Sequence, residues 1–459
     1  MLTLTIQSME TTPARFNRYL IKSIIAVCPL FDDPVMTQAQ VTSEDFLLAA
    51  KKGELCALRQ LLISCGLVTR VTELIHELQR ERGLSNIYLV SDGQRFSQQR
   101  LDELTATDEA VDNFRTSISA LNPGEPSAAS VRLFSSIAFV LHHLESLSVL
   151  REQVTSKQIS ATENTQVYGR LIAGLLAVVF EAADISDDPD ITRALVAMFN
   201  FVQGKEYAGQ ERAAGLIGYT AGTFSSKLQE QLHAVQEAQR RCFDVFNQFA
   251  RTLPQAQWRQ LESDEATHEL ARLRLMIDRF RSGDSLPTAI SEVWYEIATR
   301  RIDAMQVIEK DLASELLKLC EDKIERAEED LRLHDEHLKL LAAADAPPAS
   351  PLAAFGEVNS DSGLGVTPGV NAKIARSISE LVQDQAERLQ RISSELAEAR
   401  QALDERKLID KAKGLLIQSK GITEEEAYRQ LRQAAMDNNK RMVEVAMNVI
   451  SVAGMLKGQ

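Results

Sequence analysis

Residues 404–456 read DERKLIDKAKGLLIQSKGITEEEAYRQLRQAAMDNNKRMVEVAMNVISVAGML, and this stretch has the spacing of three short helices. The first helix is expected to stop at Gly421, a residue type that favours the position just after a helix. Thr423 then caps a second helix from Glu424 to about Met436, whose acidic first turn suits the positive end of the helix dipole. A third helix follows the polar break after it. The stretch therefore predicts a small helical module.

The charge of this module differs from that of the rest of the chain. Between Arg406 and Arg441 there are nine Lys and Arg residues against five Asp and Glu, in a chain of formal net charge −14. Such a basic cluster suits a phosphate backbone, although a solvated helix surface would have the same composition. The candidate phosphate-binding residues come from all three helices: Lys411, Lys413, Arg429, Arg432, Lys440 and Arg441.

The module also resembles a known family. The segment AKGLLIQSKGITEEEAYRQLRQAAMDNNKRMVEVA is similar to the ANTAR domain, a three-helix RNA-binding module of bacterial transcription antiterminators. The resemblance implies RNA rather than DNA as the partner, in the form of paired stem-loops in a leader mRNA. Tyr428 and Gln433 are weaker candidates, for stacking on or hydrogen bonding to loop bases.

Composition favours an all-α protein. The chain has 459 residues, of which 44% are hydrophobic, 25% charged and 5% aromatic, and the alternating pattern of strands is hard to find in it. Residues 43–340 show a series of helical patterns, which predicts a helical-bundle domain. Among them we expect separate helices over 43–64 and 67–91, and a single helix over 255–281.

The remaining segments predict how the domains are arranged. Residues 1–42 are expected to be a poorly ordered leader, and the Pro-, Gly- and Ser-rich residues 341–370 a flexible linker. Residues 371–403 carry a heptad-like pattern with a stutter, which predicts a coiled coil between two chains and hence a homodimer. A lone amphipathic helix packed on the bundle is the alternative. Residues 404–459 form the C-terminal domain.

Two arginines occupy positions where a charge is unexpected. Arg82 continues an apolar helical stripe, and Arg212 lies beside a run of small residues that would let another helix approach closely. A buried guanidinium needs a partner, and it suits planar oxyanions such as nitrate. An ion pair with an acid is the structural alternative, but the neighbours Glu81 and Glu211 point away from these arginines on a helix.

These segments also resemble a family. HELQRERGLSNIYL, LREQV, YGRLIAGLL, GKEYAGQERAAG and IDAMQVIEKDL, in this order over roughly residues 65–320, are similar to the NIT domain, an all-helical nitrate- and nitrite-sensing module. The resemblance implies nitrate or nitrite as the ligand and places the two characteristic arginines of the family on Arg82 and Arg212. Weaker candidates are Arg80, Arg151 and Lys205.

Other functions find little support in the sequence. No phosphate-binding loop or nucleophile motif stands out, so we expect no enzyme. His334-x-x-His337 lacks a third ligand, so we expect neither a metal nor a cofactor. Five scattered cysteines fit a reducing cytoplasm, and no uninterrupted apolar run reaches the ~18 residues of a membrane span.

The order of the domains suggests a one-component regulator. Nitrate or nitrite in the sensor would release or reorient the C-terminal domain, which would bind leader RNA and let RNA polymerase read through a terminator. Two alternatives are a DNA-binding transcriptional regulator and a helical scaffold whose arginines are structural.

Overall fold

A computed structural model describes most of the chain. The described residues are 43–119, 121, 128–184, 188–281, 284, 286–287, 289–343, 396–397, 401, 404–405, 407–422, 424–438 and 440–457. The expected leader, residues 344–370 of the expected linker and nearly all of the expected coiled coil lie outside this range, whereas residues 341–343, also expected in the linker, are helical.

The described residues are almost entirely helical. In the N-terminal region the helices are α1 (Ser43–Val90), α2 (Ser97–Ser119), α3 (Ala128–Glu145), α4 (Leu147–Thr155), α5 (Ala161–Asp184), α6 (Pro189–Ala221), α7 (Ser226–Phe249), α8 (Thr252–Glu262), α9 (Glu265–Arg279) and α10 (Ile290–Ala343). The C-terminal helices are α11 (407–420), α12 (Glu424–Asp437) and α13 (Met442–Lys457). No strand occurs among the described residues, and the all-α prediction is confirmed.

Some helix ends differ from those expected. Helix α1 continues through Cys65 and Gly66, because buried apolar residues on both sides of the glycine keep one helical stripe going. The single helix expected over 255–281 is instead two helices. Asp264 separates them, since its carboxylate accepts a hydrogen bond from the Ala266 backbone N–H at 3.3 Å and so caps α9.

Helix α6, which carries Arg212, has a clear signal at each end. The Asp188 side chain accepts hydrogen bonds from two backbone N–H groups of the first turn, both at 3.0 Å, and Pro189 opens the helix. Gly222 ends it in the left-handed conformation, with φ of +66°. These signals set the 33-residue span over which α6 presents its small residues to its neighbours.

The chain forms two compact units. One contains the described residues up to Arg59 together with those from Ile324 to Ala343, and Arg59 donates a hydrogen bond to Glu328 there at 2.7 Å. The other contains residues 60–323 and the C-terminal helices. Most of the N-terminal helical bundle and the C-terminal module described below belong to this second unit.

Aromatic side chains form the core of the bundle in two groups. Tyr219 and Phe224 lie around Trp294, which is fully buried. In the second group, Trp258 stacks on Phe243 with ring centres 3.9 Å apart, and Phe201 and Phe246 pack against it. Burying such large rings supplies much of the hydrophobic free energy of folding.

The C-terminal module matches its predicted outline. The α11 helix ends before Gly421, which has φ of +63°, and α12 and α13 follow with the expected break between them. The module has its own apolar core, built from Ala412, Leu431, Ala435, Val445 and Ala446.

Three helical stretches are long and apolar enough to cross a membrane by length and composition: Asp45–Val90, Val131–Thr155 and Ala161–Ala183. The sequence expectation considered only uninterrupted apolar runs, whereas these windows admit up to two charged residues. The first stretch contains Arg82 and Glu81, and both side chains are buried against other helices of the bundle.

Replacing Gly215 by alanine tests the close packing of α6 on α10. A Cβ atom at this position would collide with the Trp294 ring, which is rigid and fully buried. We expect the Gly215→Ala variant to lose about 1–3 kcal/mol in the free energy of unfolding, measured by urea denaturation.

The matched control is Gly169→Ala on α5, where no atom lies within 4 Å of the added Cβ. This variant should be neutral or gain up to about 1 kcal/mol, because alanine favours the helix. Equal stability of the two variants would contradict the packing described here.

Candidate anion site and nucleic-acid interface

The two predicted arginines meet where α1 and α6 pack together. Arg82 is 1% exposed and Arg212 is 3% exposed. Each guanidinium lies against a glycine of the opposite helix, because a Cβ on Gly209 would be 2.5 Å from Nη2 of Arg82 and a Cβ on Gly83 would collide with Nη2 of Arg212. The small residues therefore make room for guanidinium groups at this interface.

Arg82 has an acidic partner that the sequence analysis did not name. Its Nη1 and Nη2 donate to the two carboxylate oxygens of Glu206 on α6, at 2.6 and 3.0 Å. The side-chain amides of Gln79 and Gln210 also donate to this carboxylate, each at 2.9 Å. Glu206 is 2% exposed, so this is a fully buried, bidentate ion pair. Glu206 is six residues before Arg212, and no sequence pattern pairs it with Arg82.

Arg212 is held differently. Its Nη1 donates to Thr299 Oγ1 and its Nη2 to the Gln79 backbone carbonyl, both at 3.0 Å. Its guanidinium carbon lies 5.0 Å from the centre of the Tyr295 ring. Within the described part of the chain Arg212 has no ion pair, and the carboxylate of Asp303, one turn after Thr299, acts on it only through space.

The neighbouring glutamates serve other arginines, as the helix geometry predicts. Glu81 accepts from Arg151 Nε and Nη2 at 2.8 and 2.9 Å, and also from the hydroxyl of Tyr168. Glu211 accepts from Arg274 Nε and Nη2, both at 2.6 Å. Arg151, a weaker candidate for anion binding, therefore lies in an ion pair.

The other weaker candidates also have acidic partners. Arg80 is about half exposed and pairs with Glu103 at 2.9 Å, and burial raises the pKa of that Glu103 carboxyl to about 8. Lys205 is fully buried and pairs with Glu309 at 2.7 Å, next to Gln306 and with its Nζ 3.4 Å from Nδ1 of His76. Burial lowers the pKa of Lys205, and Glu309 opposes this shift.

Among the described residues of the α1–α6 interface, one buried positive charge forms no ion pair. Arg82 is balanced by Glu206 and Lys205 by Glu309, whereas Arg212 has no such partner among the described residues. A buried charge without a partner costs several kcal/mol, and one small monovalent anion would balance it. No group of three or more His, Cys, Asp or Glu side chains that could hold a metal ion occurs in the described residues.

The basic residues of the C-terminal module differ in their availability. Lys411, Arg432 and Lys440 are exposed, and so are Arg429 and Arg441, which form surface ion pairs with Glu230 and Glu405. Lys413 is instead 7% exposed and pairs with Asp410 at 2.7 Å, so it is less accessible to RNA than the other five. Lys420, an exposed cation that the sequence analysis did not name, adds to this surface.

The two polar candidates for base contacts also differ. Gln433 is exposed and donates to Asp437 at 2.7 Å. Tyr428 is half-buried, with the guanidinium carbon of Arg241 on α7 at 4.5 Å from its ring centre. Arg429, the next residue, donates to Glu230 on α7 at 2.8 Å. Helix α7 of the N-terminal bundle therefore contacts two adjacent candidate RNA-binding residues.

A helical bundle with a buried arginine pair, followed by a small basic three-helix module, is the organisation of a one-component regulator. The chain matches the NIT family, described as nitrate and nitrite sensing, over residues 73–317, and the ANTAR domain over residues 397–450. The chain belongs to the family of NIT- and ANTAR-containing transcription antitermination regulators.

Similar proteins agree with this assignment. The chain is 33% identical over 409 residues to the nitrate regulatory protein of Klebsiella oxytoca, which covers 89% of this chain and 94% of the relative. It is 35% identical over 75 residues to the transcriptional regulatory protein PdtaR of Mycobacterium tuberculosis, which covers 16% of this chain and 37% of the relative. The solved structure of the NasR transcription antiterminator is similar, with a TM-score of 0.57 and 30% identity over 90% of this chain and 99% of that one.

Proposed function

We propose that this chain is a cytoplasmic, homodimeric regulator in which nitrate or nitrite binds at Arg82 and Arg212 and thereby frees the C-terminal module to bind leader-RNA stem-loops. The bound RNA would no longer form a terminator, so RNA polymerase would read through into genes for nitrate assimilation. The homodimer rests on the heptad pattern of residues 371–403, and the location on the cytoplasmic process that the family controls.

The observation that carries the ligand proposal is the unbalanced charge of Arg212 beside the Arg82–Glu206 pair. Nitrate and nitrite each carry one negative charge, which matches the single positive charge left over. Both are small, planar oxyanions, and two guanidinium groups can hold such an ion through several charge-assisted hydrogen bonds. A dianion such as sulfate would exceed the available positive charge.

Glu206 is the internal competitor of the anion. Its carboxylate is also a planar oxyanion, and it occupies both terminal nitrogens of Arg82. An anion that bridges Arg82 and Arg212 would take over these donors, while Gln79 and Gln210 continue to solvate Glu206. Because Glu206 is on α6 and Arg82 on α1, this exchange changes how the two helices are held together.

Two contacts connect this interface to other helices, and the second of them leads to the RNA-binding module. The Trp294 indole on α10 donates a hydrogen bond to the Arg212 backbone carbonyl on α6 at 2.9 Å, so a shift of α6 would also move α10. Helix α7, which packs along α6, contacts Arg429 and Tyr428 through Glu230 and Arg241. The proposed release is therefore the loss of the Glu230–Arg429 and Arg241–Tyr428 contacts, which would leave Tyr428 and Arg429 available to RNA.

The proposal predicts that nitrate increases binding to a two-hairpin leader RNA. We expect the RNA affinity, measured by fluorescence anisotropy, to rise at least about tenfold when millimolar nitrate replaces chloride at equal ionic strength. Arg212→Ala should abolish this response, because the anion loses one of its two guanidinium partners.

The matched control for this experiment is Arg70→Ala, which removes an exposed arginine of α1 whose partner is Glu73. It should respond to nitrate as the parent does. Nitrate-insensitive RNA binding by the parent would refute the ligand proposal, and a preference for duplex DNA over leader RNA would favour a DNA-binding regulator. A scaffold with structural arginines would show no anion-dependent thermal shift, and its arginine variants would unfold.

Replacing Glu206 by glutamine tests the competition between carboxylate and anion. The variant leaves Arg82 without its counter-charge, so in chloride we expect it to lose about 3–5 kcal/mol in the free energy of unfolding. Nitrate should bind it more tightly than it binds the parent, and the rise in Tm on adding nitrate should be larger.

Glu81→Gln is the control, since it removes a different buried carboxylate, on α1, that also has an arginine partner, Arg151. This variant should also be destabilised, but its nitrate affinity should equal that of the parent. If Glu206→Gln bound nitrate no better than the parent does, the exchange proposed for Arg82 would be wrong.

Replacing Glu230 by lysine tests the release step. The new charge would repel Arg429 and remove one contact between α7 and the RNA-binding module. We expect RNA affinity without nitrate to rise by about two- to tenfold, so that the response to nitrate becomes smaller.

The control is Asp244→Lys, which makes the same charge change at an exposed position of the same helix. The RNA affinity of this variant without nitrate should equal that of the parent. Equal RNA binding by the two variants, with or without nitrate, would show that the contacts of α7 do not restrain the module.

A further inference from the structure

A second buried ionic cluster lies between helices α6, α7, α9 and α10, around Glu211. The carboxylate of Glu211 accepts two hydrogen bonds from Arg274 on α9, both at 2.6 Å. It also accepts from Gln236 at 2.8 Å and from Gln239 at 2.7 Å, both on α7. Four donors therefore occupy this carboxylate. Burial raises the pKa of Glu211, but Arg274 and the two amides outweigh this effect and lower it overall.

Arg301 on α10 borders this cluster, and the N–H groups of its guanidinium form few good hydrogen bonds. The side chain is 6% exposed, and its Nη1 lies 3.5 Å from Oε1 of Gln239, at the outer limit of a hydrogen bond. Its Nε–H has no acceptor among the described residues, and no described carboxylate forms an ion pair with it. Arg212 is better satisfied, since it makes two hydrogen bonds of 3.0 Å.

A second unsatisfied donor lies beside Arg301. The guanidinium carbon is 5.7 Å from the ring centre of Trp258 on α8, which is 1% exposed. The indole Nε1–H of Trp258 has no acceptor among the described residues either. By contrast, the indole of Trp294 donates to a backbone carbonyl at 2.9 Å. A single small ligand that accepts a hydrogen bond from each of these two buried N–H donors would satisfy both of them.

The charges at this position agree with an anionic ligand. Glu211 forms an ion pair with Arg274, and no described carboxylate forms one with Arg301. Burial and the neighbouring Arg274 lower the pKa of Arg301 to about 10, while Glu211 and Glu262 act through space in the opposite direction, so Arg301 remains protonated at neutral pH. The stacked rings of Phe243 and Trp258 make the surroundings apolar, where an unpaired cation is costly.

We propose that a small monovalent inorganic anion, of the size of a halide or nitrate, binds at the Nε–H of Arg301 and the Nε1–H of Trp258. This site lies between α7, α8 and α10 and is separate from the anion site at Arg82 and Arg212. It neutralises the second unbalanced arginine of the bundle. It holds α8 to α10, since one donor comes from each of these helices.

The two tryptophans of the chain make the two sites separately observable. Trp294→Phe leaves Trp258 as the only tryptophan, next to Arg301, and Trp258→Phe leaves only Trp294, next to Arg212. Bromide is a suitable probe because it quenches tryptophan emission. Sodium gluconate keeps the ionic strength constant, since its anion is too large to enter the bundle.

In full-length Trp294→Phe protein we expect bromide to quench the Trp258 emission along a saturating curve. Adding Arg301→Met should weaken bromide binding at least about tenfold, because methionine fills similar space without a charge or a donor. Arg212→Ala should leave the bromide quenching of Trp258 unchanged, so the experiment can refute one anion site without refuting the other. Chloride and nitrate should compete with bromide, whereas sulfate at equal ionic strength should not.

If bromide quenches Trp258 only weakly, thermal melting provides a second test of the site at Arg301. Arg301→Met removes a buried charge that has no acidic partner, so in gluconate we expect it to fold and to melt at or above the Tm of the parent. Replacing gluconate by chloride should raise the Tm of the parent and leave that of Arg301→Met unchanged. Quenching that rises linearly with bromide and is equal in both proteins, together with equal Tm responses to chloride, would overturn the proposal.

Discussion

The bundle depends on how guanidinium groups are neutralised inside helix interfaces. Arg82, Arg151 and Arg274 each reach a glutamate on another helix, so each ion pair ties two helices together at a defined register. Such pairs add little net free energy, because desolvation offsets most of the attraction. Their effect is on specificity, since any shift of the helices would leave a charge buried without its partner.

Arg212 and Arg301 depart from this pattern, and both lie where the bundle could respond to an anion. They carry charges that no described carboxylate pairs with, yet aromatic rings and neighbouring helices surround them. A protein that needed only stability would replace such residues with apolar ones. Their presence at helix interfaces is understandable if an external anion completes the structure, because ligand binding then directly changes the free energy of helix packing.

In the proposed mechanism, the same arrangement would connect the sensor to the RNA-binding module. Helix α6 carries Glu206, Glu211 and Arg212 on different faces, so it contacts α1, α7, α9 and α10 through charged groups. Helix α7 in turn contacts the RNA-binding module through Glu230, whose side chain is exposed, and Arg241, whose side chain is partly exposed. Such contacts are weak, at about 0–1 kcal/mol each, so the proposed release would need only a small change in helix packing.

The helical class and the position of the C-terminal module could be predicted from the sequence, which also pointed to Arg82 and Arg212 as candidate anion-binding residues. Periodicity and capping residues act over a few positions, so Gly421 and the apolar stripe through Arg82 are visible without a structure. Only the tertiary structure decided which acids pair with which arginines. Glu206 rather than Glu81 neutralises Arg82, because partners more than a hundred residues apart are set by helix packing and leave no local signal. For the same reason, the burial of Lys413, the continuity of α1 through Gly66 and the unsatisfied donors of Arg301 and Trp258 became apparent only when the helices were seen packed against one another.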